Sequence, residues 1–112
     1  MQIHRHSCAS LYRTLIESAT KYLSSKQSKV IITPNHLESS VGSALNYFGN
    51  NIKTTPNLSS KVISIWRETV TKRKLLDRLN EHIHNETPVD IDFINETWNT
   101  MKSYIIACLT IS

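Results

Sequence analysis

The sequence predicts an all-α fold, a single compact bundle of about five helices. Three observations carry this. Glycine and proline are scarce, at 2 and 3 of 112 residues, while Leu, Ile, Ala, Lys and Glu recur at helical spacing. Leu58, Val62, Ile65, Trp66 and Val70 fall at i, i+4, i+7, i+8 and beyond, which is one buried helical face. Val30-Ile31-Ile32, the one run that reads as a strand, has no partner strand in the chain. A chain of this length supports one hydrophobic core and one domain.

Taken in order, residues 1–8 read as an extension and 9–24 as helix one. Its apolar face is Leu11, Tyr12, Leu15, Ile16, Ala19, Tyr22 and Leu23, with Ser7 or Ser10 as the cap. Arg13, Glu17 and Lys21 stand four apart off that face, as a solvent stripe with modest ion pairing. A polar turn over 24–29 leads into Val30-Ile31-Ile32, expected to be a connector packed on the bundle. Thr33-Pro34 then reads as cap and first position of a short helix, 34–39, burying Leu37. Ser40 is the expected cap of a third helix, 41–48. Gly42 is expected at a close helix contact and Gly49 as the stop signal.

After a polar loop over 50–56, Ser59 caps helix four, 59–83. Its two apolar seams, Val62/Trp66/Val70 and Leu75/Leu76/Leu79/Ile83, flank a polar stretch from Thr71 to Lys74. No proline or glycine interrupts it, so one continuous or bent helix and two abutting helices both fit. Asp90 is the expected cap of the last helix, 91–110, with Ile91, Ile94, Trp98, Met101, Ile105 and Cys108 or Leu109 on one face. The final turn, Ile105 to Ile111, is more apolar than a free helix end, so it either tucks into the bundle or covers a partner.

The formal charge of +4 and pI near 9.2 suit an anionic partner without requiring one, and the tightest basic run is Lys72-Arg73-Lys74. Cys8 and Cys108 lie at opposite ends and make no disulfide framework, so free thiols in a reducing compartment are expected. Residues 1–6 carry no apolar signal-peptide core, and no segment has the ~20 consecutive apolar residues of a membrane span. The expectation is an intracellular protein with no membrane partner.

His4-x-His6-x-Cys8 and His82-x-His84 invite a metal reading. Their i, i+2 spacing does not put ligands on one helical face, and neither has a matched second half, so solvent-exposed histidines are expected rather than a metal site. No nucleophile beside a base, framed carboxylate pair or glycine-rich phosphate loop occurs, so neither catalysis nor a cofactor is expected. Trp66 and Trp98 are in phase with their apolar faces, which makes them core residues by default. The alternative for either is to line a groove for a partner's apolar side chain.

Three segments carry a likeness. Ile32-Thr33-Pro34-Asn35-His36-Leu37, Val41-Gly42-Ser43-Ala44-Leu45-Asn46 and Ser60-Lys61-Val62-Ile63-Ser64-Ile65-Trp66-Arg67 follow one another in the order and approximate spacing of a known pattern. Over about residues 9–75 the chain resembles the N-terminal (leucine-tryptophan) domain of transcription elongation factor TFIIS, shared by elongin A and a Mediator subunit. It departs from that pattern in a shorter step between Leu37 and Val41, in Phe48-Gly49 where the family has a basic pair, and in a long loop at 50–57. The resemblance implies a nuclear adaptor without enzymatic activity that docks short, disordered, acidic and hydrophobic motifs of transcription-elongation proteins. On this reading Lys61, Arg67, Lys72, Arg73 and Lys74 supply charge, and Trp66, Phe48 and Tyr47 are the aromatic candidates for the groove. Two other readings stand beside it: a small basic domain that binds nucleic acid through the same run, and an assembly module, monomeric or weakly oligomeric, using Ile105–Ile111.

Overall fold

Amphipathic helices in a protein draw most of their stability from burying their apolar faces against one another, and among the described residues five α-helices do so. They are α1 (Arg5–Lys26), α2 (Leu37–Asn50), α3 (Ser60–Thr71), α4 (Leu75–His84) and α5 (Ile91–Thr110), with a single 3-10 turn at Ile52–Thr54. The structure, a computed structural model, describes residues 5–54, 58–84 and 91–110, and the side chains of 9–53, 58–80 and 92–110. The all-α expectation holds. The expected cap Asp90, both histidine clusters, Cys8, Ile83 and Ile111 lie outside the described residues or side chains.

α1 is the organising element. It starts at Arg5 rather than Ala9 and buries Ala9, Tyr12, Ile16, Ala19 and Leu23 along one stripe. It packs mainly on α5 and α4. Tyr12 meets Trp98 edge-to-face at 5.4 Å and Thr20 hydrogen-bonds Tyr104 at 2.7 Å, so numbers rise together on the two helices and the first and last helices run parallel. The Thr20 hydroxyl donates to the Ile16 carbonyl at 2.8 Å, so Tyr104 is the donor to Thr20 in this buried chain. α3 runs antiparallel to α5, with Trp66 Nε1 donating to Ser103 at one end and Arg73 pairing with Glu96 at the other.

The middle of the core is a triangle of rings contributed by α2, α3 and α5. Phe48, Trp66 and Tyr104 meet edge-on with centroids 5.6 to 6.1 Å apart. Such contacts add about 0.5–1.5 kcal/mol each beyond area burial. α5 buries Ile105 and Cys108 in its last turns, while Ile106 and Leu109 remain 53% and 50% exposed. The apolar end therefore does both things open to it, tucking in one face and showing the other.

Several expectations change. The helices expected at 34–39 and 41–48 are one helix, α2, preceded by a turn in which His36 N donates to the Thr33 carbonyl and Asn35 takes φ 64. Ser40 is not a cap: buried one turn inside α2, its hydroxyl accepts from Thr33 N at 2.9 Å. Ser43 likewise accepts from Ile31 N, and Ser24 donates to the Val30 carbonyl. Serine hydroxyls thus satisfy a connector that lacks a strand partner; Val30 is buried and Ile31 exposed.

Neither glycine has the expected role. Gly49 is helical with no positive φ, and the Asn51 side chain closes the helix by donating to the Tyr47 carbonyl. A Cβ at Gly42 would meet nothing within 4 Å, so it marks no close contact.

The helix expected at 59–83 is two. Ser59 caps α3 as expected, accepting from Val62 N. At its end Lys72 N and Arg73 N converge on the Glu68 carbonyl, Lys74 turns left-handed at φ 52, and its carbonyl accepts from Arg78 N to begin α4. The break follows from where the seams point. Trp66 meets rings of α2 and α5, α4 with its buried Leu75 and Leu79 packs mainly on α1, and the intervening Thr71–Lys74 have no apolar side chain to hold the axis straight.

Candidate functional site

The joint between α3 and α4 gathers the densest positive charge among the described residues. Lys72, Arg73 and Lys74 come from the joint itself and Arg78 from the first turn of α4, one turn beyond Lys74. With Asp77 and Asn80 they line a shallow depression of about 710 Å3. Two of the cations are anchored. The Arg78 guanidinium carbon lies 4.5 Å and that of Arg73 5.3 Å from the centroid of the buried Phe93 ring. Arg73 also bridges to Glu96 at 3.0 Å. Ring contacts of this kind are worth about 0.5–1 kcal/mol near the surface and hold the guanidinium planes in place. Lys72, Lys74 and Arg78 have no carboxylate partner among the described residues.

The other sequence-derived candidates sort by position. Lys61 is exposed but sits at the opposite end of α3, about 16 Å along the axis from Lys72 at helical rise, so it does not join the cluster. Arg67 reaches across to α2 and donates to Asn46 Oδ1 at 3.0 Å, tying two helices together. Phe48 and Trp66 are 0% and 2% exposed, and the Trp66 indole N–H is satisfied by Ser103 at 2.9 Å. Neither ring lines a groove; both fill the core, as the phase of Trp66 on its helix suggests. Tyr47 is half-buried against Phe48. Arg78 is the member that reading the run 72–74 alone omits, and its i+4 offset from Lys74 is the signal that finds it.

Behind the corner lies a buried polar seam. Burial pushes the Tyr12 hydroxyl up to about 12, with Thr97 and the positive charge of Arg73 pulling the other way. The Tyr12 oxygen makes no hydrogen bond of good geometry; Thr97 beside it donates instead to the Phe93 carbonyl at 2.8 Å. Burial likewise drives Tyr104 well above its ordinary value and the Cys108 thiol to about 12. All three stay protonated near neutrality, which suits a core rather than a nucleophile or base.

The corner therefore offers anchored guanidiniums and exposed ammonium groups in an open depression, an arrangement suited to carboxylates or phosphates. Among the described residues no group of three or more His, Cys, Asp or Glu side chains is placed to hold a metal, and no helix is long and apolar enough to cross a membrane. No protein-family model, curated protein or solved structure matches the chain.

Proposed function

We propose that the chain is a non-enzymatic protein-interaction module that docks acidic, unstructured segments of other proteins on the α3–α4 corner. The observation that carries this is the set of cations from two helices and their joint, of which Lys72, Lys74 and Arg78 lack an internal carboxylate among the described residues. A flexible acidic segment supplies those carboxylates and can follow a shallow surface, and the entropy of ordering it keeps affinity modest. The likeness of residues 9–75 to the TFIIS N-terminal domain directs the choice of partner to transcription-elongation proteins and the setting to the nucleus.

The test is fluorescence anisotropy with a labelled Asp/Glu-rich peptide. Lys72→Glu with Lys74→Glu is the variant of choice, because both side chains are exposed, whereas Arg73 pairs with Glu96 and stacks on Phe93. The double reversal is expected to weaken binding about tenfold or more, in keeping with close charge pairs across an interface, with an unchanged melting temperature. Equal affinity of variant and parent overturns the proposal. So does binding only to a DNA duplex with the steep salt dependence of phosphate neutralisation.

A further inference from the structure

The corner depression does not end at the corner. It shares Asp77 and Asn80 with a second depression of about 400 Å3 between α4 and the start of α2. That one shares Arg13, Asn35, His36 and Leu37 with a third, of about 390 Å3, between α1 and the turn before α2. Three depressions joined by common walls make one groove running from α1, past the start of α2, to the α3–α4 joint.

Charge along this groove is ordered. One end is the basic corner. At the other, Arg13 and Lys21 share the single carboxylate of Glu17, at 3.5 and 2.9 Å, which leaves that end net positive. The Lys21 pair is exposed and the Arg13 pair half-buried at the surface, both of the weak kind that a competing carboxylate exchanges. The middle is different: half-buried Leu37 puts apolar surface there, and Glu38 and Asp77 outnumber Arg13, which makes it unfavourable to a negative side chain. From this pattern we infer that the groove takes one extended peptide with acidic residues at both ends and an apolar, uncharged middle, lying from Arg13 and Lys21 across Leu37 to Lys72, Lys74 and Arg78.

The inference rests on the proposed docking function and adds to it a second anchor, a path and a length. An extended chain advances ~3.3 Å per residue, so about eight residues cross a face of the molecule, whose shorter axes are 28 and 27 Å. The apolar centre lands on half-buried Leu37, a role the core positions of Phe48 and Trp66 deny to those rings.

The test uses the full chain and three synthetic peptides of equal length, read by anisotropy and by amide shifts of the 15N-labelled protein. The first has Asp/Glu clusters flanking a central Leu-Phe, the second replaces that centre with Glu-Glu, and the third keeps only one acidic cluster. The first is expected to bind about tenfold tighter than the other two and to shift amides of Arg13, His36 and Asn80 as well as 72–78. Arg13→Glu or, as a second site at that end, Lys21→Glu should abolish that advantage, bringing the first peptide down to the affinity of the third. Equal affinity for the first and third peptides, with shifts confined to 72–78, overturns the groove and leaves corner docking standing. No binding of any peptide, with Lys72→Glu and Lys74→Glu silent, overturns both. Competition by a short DNA duplex at Arg13 and Lys72 alike, with the two acidic-ended peptides no better than the single-cluster one, reassigns the surface to phosphate.

Discussion

Tyr12, Tyr104 and Cys108 are weak acids held away from water, and burial raises all three above their ordinary values, Tyr12 and Cys108 to about 12. The neutral form is the one the fold accepts. Stability linked to these groups is therefore complete below the unfolded values of 9.0 and 10.0 and drains away as pH climbs toward 12. A tenfold difference in proton affinity between the folded and unfolded chain corresponds to about 1.4 kcal/mol, so Cys108 alone should destabilise the protein by roughly 1 kcal/mol at pH 10. Urea midpoints at pH 8 and pH 10 measure this. Cys108→Ala, whatever its own cavity penalty, should show the smaller drop between the two pH values, and an equal drop refutes the assignment. Thr20→Val tests the neighbouring hydrogen bond. It strands the Tyr104 hydroxyl, since the Thr20 oxygen accepts from it, and should cost about 1–3 kcal/mol. Adding Tyr104→Phe removes the orphaned group and should recover part of that loss in the same denaturation measurement.

At the level of the helices, the apolar phase of the sequence placed α1, α3 and α5, but not every residue on them: Leu11, Tyr22 and Ile65, expected on buried faces, are exposed, and Ile63, outside the expected seam, is buried. The errors arose where local signals competed with longer-range ones. Thr33-Pro34 carries a helix-start pattern, but Ser40 accepts from Thr33 N and folds the segment back as a turn. Gly49 carries a stop pattern, but Phe48 is committed to the ring triangle and Asn51 closes the helix beyond it. The split after Thr71 was open in the sequence because no glycine or proline marks it; a lysine takes the left-handed position instead. For a residue with a Cβ that conformation costs roughly 1–2 kcal/mol. Lys74→Gly should therefore raise stability, by somewhat under ~1 kcal/mol once the freer unfolded chain is counted, while weakening acidic-peptide binding by loss of a charge. A lower melting temperature would mean the joint is not strained at Lys74.

Across the whole molecule, the basic run 72–74 was legible as sequence, but the ring beneath it was not, because Phe93 arrives from α5 and stacks on Arg73 and Arg78 through the tertiary fold alone. The groove from Arg13 to Arg78 was equally hidden, since its walls come from α1, α2 and α4 together. The fate of the last turn of α5 could be posed from sequence and is answered by packing: Ile105 and Cys108 are buried. A chain cut after Tyr104 should lose cooperative melting by circular dichroism, and a sharp transition near the parent's would show that the end is dispensable. The parallel pairing of α1 with α5 reaches further than equilibrium. Because α1 precedes α5 in the chain by some sixty-five residues, the part of its stripe that α5 covers stays sticky in a nascent chain until α5 has followed it out of the ribosome.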